Sequence, residues 1–185
     1  MSATQTTPTT RTVWDIDAAH SLIEFSTKHM MFTTVKGRIT GVKGTISTVG
    51  ANHSESAVDV ELDITTITTG QEQRDGHLKS PDFFDAATYP TITFTSTRVE
   101  HKGGDTMRVF GNLTMHGETK EVAIDTTLNG QGTSPQGKEL IAFTGETKID
   151  RKEFGLNYNM ALETGGWLVG NDIKILLEIQ ASKRA

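Results

Sequence analysis

The densest group of chemically capable side chains lies at residues 74–85, which read RDGHLKSPDFFD. General acid–base catalysis could use His77 with Asp75 or Asp82, because an imidazole and a carboxylate can both transfer protons. The same residues also suit a solvated helix that ends in a turn, since serine and aspartate favour caps and turns. Two interpretations therefore stay open at this point. The segment is either an acid–base site or a polar helix with a purely structural role.

Other chemistry has little support in this sequence. The absence of cysteine excludes disulfides, thiolate metal sites and cysteine nucleophiles. The six histidines never recur at the i, i+2 or i, i+4 spacing that places two metal ligands on one face. Residues 132–139 resemble a phosphate-binding loop, but Glu139 stands where serine or threonine would hold magnesium. We therefore predict no catalytic residue, no catalytic cofactor and no bound metal.

Charge and hydropathy exclude two classes of partner. The 185 residues carry 18 Lys and Arg against 23 Asp and Glu, a net charge of -5, whereas a nucleic-acid binder needs a basic face. No run of apolar residues is long enough to span a bilayer, so we expect no stable membrane insertion. Residues 1–11 lack the pattern of a signal peptide and read as a disordered tail. We therefore expect a cytoplasmic protein with one domain over residues 12–185.

The elements that must position these side chains are strands, because apolar and polar residues alternate along most of the chain. About eight long, antiparallel runs follow one another with hairpin spacings, for example Ala57–Ile64 and Thr106–Met115. The exception is Gln71–Lys79, which reads as a short helix stopped by Pro81. The pattern predicts an all-β fold, either a closed eight-stranded barrel or a sandwich, with one short helical insertion near one end.

A set of ordered motifs carries a family resemblance. HSLIEF begins at His20, RDGHLKSPDFFD at Arg74 runs into YPTITF, and GNLTMHG begins at Gly111. IDRKEFGL begins at Ile149, and GGWLVGN begins at Gly165. Together these motifs closely resemble the YceI-like, polyisoprenoid-binding family over nearly all of the chain.

The resemblance implies a lipocalin-like antiparallel barrel whose elongated apolar pore holds an isoprenoid chain. The ligand would be a polyprenyl phosphate or an isoprenoid quinone, bound without catalysis. Family members are often periplasmic and often dimeric, so the resemblance also implies a possible homodimer. This chain departs from the family in lacking a recognisable signal peptide, which is why we expect a cytoplasmic member.

The apolar face of the strands supports the same class of ligand, because it has almost no charge and would make an apolar lumen if it faces inward. We predict that the lumen is lined by Ile23, Phe25, Val60, Leu62, Phe83, Phe84, Ile92, Phe94, Met107, Val109, Leu113, Phe143 and Ile175. Head-group recognition is then expected at the mouth of the barrel, from Arg74, His77, Lys79 and Arg151. Met30-Met31-Phe32 and Trp167 lie at strand ends, where soft or aromatic side chains also suit a pocket.

Three functions follow from this sequence. The first is a non-catalytic carrier or store of an isoprenoid lipid. The second is an enzyme that acts on such a lipid, with His77 and Asp75 or Asp82 as acid and base. The third is a structural barrel, filled by its own side chains, that acts through a dimer or partner interface.

Overall fold

The computed structural model describes residues 10–185 and has the predicted all-β architecture. Residues 1–9 of the predicted tail lie outside the described residues, and the first strand begins at Arg11, one residue earlier than expected. The described part of the chain forms nine strands: β1 (Arg11–Ile16), β2 (Leu22–His29), β3 (Thr33–Val49), β4 (Ala57–Thr68), β5 (Thr91–Gly103), β6 (Thr106–Met115), β7 (Glu118–Thr133), β8 (Glu139–Asp150) and β9 (Asp172–Lys183).

The nine strands fill eight positions of a closed antiparallel barrel. Strands β1 and β2 share one position, because both pair with β3 on one side and with β9 on the other. A short 3-10 turn at Ala18–His20 separates them. Every strand therefore has a hydrogen-bonded neighbour on each side, which removes the free sheet edge that an open sheet would expose.

The connections divide the barrel into two distinct ends. One end, here called the helix end, carries helix α1 (Glu72–Lys79), the β2–β3 and β6–β7 turns and the long connection 151–171. The other, here called the hairpin end, carries the β3–β4 connection and the β5–β6 and β7–β8 turns. No helix in residues 10–185 has the length and apolar character required to cross a bilayer.

Helix α1 occurs where the sequence predicts it. Hydrogen bonds near its ends hold it in place. The Gln71 side chain caps it by accepting a hydrogen bond from the Arg74 amide at 2.6 Å. Asp75 accepts hydrogen bonds from the Thr68 and Thr69 hydroxyls at 3.0 and 2.6 Å, which ties the helix to the end of β4. Leu78 is the one large apolar side chain of the helix and faces inward, while the other side chains are polar, so the outer face of the helix meets water.

Two glycines on the inner wall make room for aromatic rings that point into the barrel. A Cβ at Gly37 would lie 2.3 Å from the Phe25 ring, which stands on the paired strand. A Cβ at Gly111 would lie 2.5 Å from the Phe94 ring and 2.6 Å from the Thr95 carbonyl oxygen. These contacts are far below van der Waals separation, so the two rings can lie flat against the wall only because these positions lack a side chain.

Replacing Gly111 by alanine is therefore expected to destabilise the barrel by about 1–3 kcal/mol, the usual effect of adding a methyl group to a packed interior. The measurement is the free energy of unfolding in urea. The matched control is Gly132→Ala in β7, where a Cβ meets nothing within 4 Å, so its expected effect is within about 0.5 kcal/mol. Equal stability of the two variants would show that Phe94 can move off the wall at no cost.

Candidate functional site

A cavity of about 600 Å³ runs along the inside of the barrel. Every strand contributes to its lining, and β9 shows the rule most clearly, with Ile173, Ile175, Leu177 and Ile179 all facing inward. Such a volume lies within the range of small-molecule sites, which are typically about 300–1,000 Å³. The lining is almost entirely aliphatic and aromatic, so the interior suits an apolar chain.

Twelve of the thirteen predicted lumen residues line this cavity: Ile23, Phe25, Val60, Leu62, Phe83, Phe84, Ile92, Phe94, Val109, Leu113, Phe143 and Ile175. Met107 does not line it. Met107 lies one residue into β6, and its 5% exposed side chain packs with Val99 and Val109 in a small cluster near the β5–β6 turn. Alternation placed Met107 on the inner face correctly, but protein side chains fill the space there.

The cavity opens at the hairpin end. Gly50, Ala51 and Gln131 are the exposed residues of the lining, and all three lie at this end. The half-buried side chains of His53 and Ser56 join them at the rim. In the described residues, none of these three polar side chains, Gln131, His53 and Ser56, makes a hydrogen bond to the protein. The cavity lining at the mouth therefore presents polar groups without lysine or arginine. Lys183 lies in an adjoining surface pocket, where its Nζ pairs with Glu139 Oε1 at 2.9 Å.

The helix end is closed by tightly packed side chains. Phe154 is fully buried, Leu156 and Met115 are about 5% exposed or less, and Phe83 is 9% exposed. Phe83 contacts His77 and Tyr158 at ring-centroid distances of about 5 Å, which fixes α1 over this end. The two adjacent phenylalanines, Phe83 and Phe84, both line the cavity from this end.

The predicted mouth residues on α1 are at the opposite end from the opening. Arg74, His77 and Lys79 do not line the cavity. Arg74 donates to the hydroxyl and carbonyl oxygens of Thr69 at 2.7 and 3.1 Å, and both groups belong to the outer surface. The expectation that these three side chains surround the mouth is wrong, because Leu78 and Phe83 face inward and turn the polar side of the helix to solvent.

The residues of the acid–base hypothesis are occupied in structural contacts. His77 Nε2 lies 2.9 Å from Asp82 Oδ2, and both side chains of this pair are exposed and lie outside the cavity lining. Burial raises the pKa of Asp75, but hydrogen bonds from Thr69 and Thr68 outweigh it and hold that pKa below its usual value. A carboxylate held in its charged form by such bonds is a poor general base. This geometry lends no support to a catalytic role for His77 with Asp75 or Asp82.

Arg151 does line the cavity, but at the closed end and not at a mouth. It is 3% exposed, and its guanidinium donates to the carbonyl oxygens of Gly170 at 2.9 Å, Leu156 and, more weakly, Val169 at 3.5 Å. No carboxylate within residues 10–185 forms an ion pair with it. Desolvation lowers the pKa of Arg151, although Asp150 opposes this effect. The side chain fastens the connection 151–171 to the barrel.

The mouth itself was missed by the sequence analysis. Residues 50–56 look like any connection between two strands, and Gln131 lies late in a long polar strand. The alternation of apolar and polar residues predicts whether a side chain faces the inside or the outside of a barrel, but it does not predict which end of the barrel is open. The one available signal was negative: the helix end carries the aromatic residues that can plug a barrel, which leaves the hairpin end to open.

Comparison with known proteins gives consistent results along the whole barrel. The family model of the YceI-like domain matches residues 14–181. A UPF0312 protein of Vibrio cholerae is 38% identical over 144 residues, which cover 78% of this chain and 76% of the relative. A UPF0312 protein of Pseudomonas syringae is 35% identical over 144 residues, 78% of this chain and 75% of the relative.

Solved structures share the fold. A YceI protein of Campylobacter jejuni matches with a TM-score of 0.72 and 29% identity, over 85% of this chain and 90% of that one. BcnA of Burkholderia cenocepacia matches with a TM-score of 0.79 and 23% identity, over 90% and 99%. A polyisoprenoid binding domain from Saccharophagus degradans matches with a TM-score of 0.70 and 16% identity, over 92% and 98%. The last two likenesses show the fold alone.

Proposed function

Since this chain belongs to the YceI-like family, we propose that it is a non-catalytic binding protein that holds a long isoprenoid chain inside the barrel. The observation that carries the proposal is the apolar cavity to which every described strand contributes. A structurally similar domain is named a polyisoprenoid binding domain, which supports the choice of ligand class. A repeating branched hydrocarbon needs no polar partner along its length, and the lining offers almost none.

The energetics of such a complex are favourable without any polar contact to the tail. Burying roughly 500 Å² of apolar chain contributes about 12 kcal/mol at the usual coefficient. Ordering a flexible tail and losing overall freedom on association costs several kcal/mol of that amount. The balance supports dissociation constants between about micromolar and nanomolar.

The proposed orientation places the tail inside and the head group at the hairpin end. His53, Ser56 and Gln131 offer hydrogen-bond donors there that the protein itself leaves unused. A quinone ring or a terminal hydroxyl suits these groups, whereas a polyprenyl phosphate would find no lysine or arginine among the lining residues of the mouth. The isoprenoid quinone is therefore our favoured ligand over the phosphate.

The proposal predicts that protein purified from cells carries an extractable isoprenoid. Native mass spectrometry before and after solvent extraction should show a discrete added mass, and the stripped protein should take up ubiquinone in a one-to-one ratio. Uptake of a polyprenyl phosphate of matched tail length should be weaker. A stripped barrel that takes up neither lipid would favour the structural barrel, and chemical change of the lipid during incubation would favour the enzyme.

A further inference from the structure

Five large apolar side chains stand exposed together at the helix end, here called the apolar tip. Met30, Met31 and Phe32 in the β2–β3 turn are 40, 63 and 79% exposed, and Met160 and Trp167 in the connection 151–171 are 54 and 55% exposed. The sequence suggested that the triplet and Trp167 line a pocket. None of the five lines the cavity.

The two loops of the apolar tip form one fixed unit. The Met30 amide donates to the Leu168 carbonyl at 2.9 Å, and the Leu168 amide donates to the Met160 carbonyl at 2.9 Å. Met31 packs so closely on Gly166 that a Cβ there would lie 2.1 Å from the methionine sulfur. The exposed side chains are therefore held at the surface by the backbone and do not belong to a loosely placed loop.

The backbone of the turn makes this exposure unusual. Met30 and Met31 have φ angles of 51° and 65°, in the left-handed region that disfavours side chains with a Cβ. Glycine or asparagine is the ordinary choice at such positions. The turn instead holds two methionines that contribute nothing to the barrel core, so folding alone does not account for these residue types.

We propose that the apolar tip docks the protein peripherally into the interfacial layer of a lipid bilayer. Methionine, phenylalanine and tryptophan at the end of a rigid body can enter the acyl-chain boundary, and tryptophan favours the head-group level. Lys152 Nζ lies 6.0 Å from the centre of the Trp167 ring, and Lys28 lies at the foot of the turn. Lysine beside an interfacial tryptophan suits a surface of lipid head groups.

The charges near the tip indicate how the docking would work. The connection also carries Glu153 and Glu163, which balance Lys28 and Lys152. Binding is therefore driven by apolar insertion, with little dependence on salt or on anionic lipid. The tip and the mouth lie at opposite ends, so a docked barrel holds its mouth toward the aqueous phase.

A second copy of the chain fits the tip less well than a bilayer. Side chains of this size at these exposures present on the order of 600 Å², while a stable interface needs about 800 Å² per partner. This inference rests on the proposed function only in that the bound isoprenoid is itself a membrane lipid. Docking to a bilayer can be measured on protein that holds no isoprenoid.

The test uses stripped full-length protein and phosphatidylcholine vesicles. Trp167 is exposed and Trp14 is 4% exposed, so a blue shift of tryptophan emission and quenching by brominated phosphatidylcholine report on the tip. We expect both signals, and flotation with the vesicles. Phe32→Gln should lower partitioning about tenfold or more, the effect of losing one buried phenylalanine.

The matched control is Leu176→Gln, which changes an exposed apolar residue on the outer face of β9 and should leave partitioning unchanged. Absence of vesicle binding, or an equal loss in both variants, overturns the proposal. A concentration-dependent dimer that Phe32→Gln abolishes, with no vesicle binding, assigns the tip to a second copy and also overturns it. Uptake of ubiquinone by the Phe32→Gln variant should equal that of the wild type.

The same measurements separate docking from the proposed function. Vesicle binding by a barrel that takes up no isoprenoid would support docking and refute the proposed function alone.

Discussion

Phe94→Asp is expected to abolish uptake of a long apolar chain, with affinity lowered at least about 100-fold. Phe94 stands midway along the cavity wall, against Gly111, and its ring forms part of the surface that the chain would contact. A carboxylate at this position must either remain charged in apolar surroundings or take up a proton, and both cost free energy. The same change removes the aromatic packing, so the free energy of unfolding should also fall, by about 3–5 kcal/mol.

Two further variants separate the effect of charge from that of lost packing. Phe94→Ala enlarges the cavity without adding charge, so it should lose stability but keep most of the lipid affinity. Thr97→Asp adds the same carboxylate to an exposed position of the same strand, and it should change neither quantity. Titration with a fluorescent isoprenoid analogue, beside urea unfolding, measures both.

The pH dependence gives an independent check on the position of the new carboxylate. Apolar surroundings favour the neutral form of a carboxyl group, so its pKa in the variant should be raised. Lowering the pH should therefore restore part of the lipid uptake of Phe94→Asp and leave that of Thr97→Asp unaffected. Unchanged uptake by Phe94→Asp at neutral pH would mean that the bound chain does not pass this part of the wall.

The strands and their inner faces were predictable because alternation has a strict period of two. In β9, Ile173, Ile175 and Leu177 could only share a face, and a barrel turns that face inward. The helix was predictable for a different reason, since the segment before Pro81 breaks that period. Local pattern thus predicts both the fold and most of the cavity wall.

The ends of the barrel were not predictable, because they depend on how long connections fold back. Met107 follows the inner pattern yet meets other side chains near a turn, since alternation carries no information on depth. Arg151 reads as a surface residue after a strand, but the connection that follows it wraps over the barrel end and buries it. The same connection runs beside the β2–β3 turn, so Trp167 lies at the helix end and outside the cavity lining.

Arg151→Met is expected to destabilise the protein by about 1–3 kcal/mol, mainly at the helix end. The carbonyl groups of Leu156, Val169 and Gly170 each lose one hydrogen bond in this variant. Val169 keeps a hydrogen bond from Asn159 Nδ2 at 2.8 Å and Gly170 keeps one from the Thr27 hydroxyl at 3.3 Å, so of the three only the buried Leu156 carbonyl is left without a donor. Each unsatisfied carbonyl costs about 1–3 kcal/mol, while removal of a buried charge returns part of its desolvation cost. The hydrogen bonds should outweigh the desolvation, because the guanidinium joins three separate carbonyl groups and, within the described residues, is the one donor to the buried Leu156 carbonyl.

The controls for Arg151→Met test that balance directly. Arg74→Met removes an exposed guanidinium that bonds only to Thr69, and its expected effect is within about 1 kcal/mol. Arg151→Lys keeps the charge, but an ammonium lacks the planar fork that reaches separated carbonyls, so its stability should fall between those of the wild type and Arg151→Met. Urea unfolding gives the totals, and amide hydrogen exchange in residues 156–171 should show where protection is lost.

The outcome decides what the buried cation does. If Arg151→Met loses stability and amide hydrogen exchange increases in the connection, the guanidinium holds the connection 151–171 against the closed end. The apolar tip then depends on Arg151 for its rigidity. If Arg151→Met is as stable as the wild type, the desolvation cost equals the value of the three hydrogen bonds. The residue would then need another reason to stand in an apolar cavity, and an anionic group deep in the lumen would become the better account. That result would also reverse the proposed orientation of the lipid, with the head group at the closed end and the tail toward the mouth.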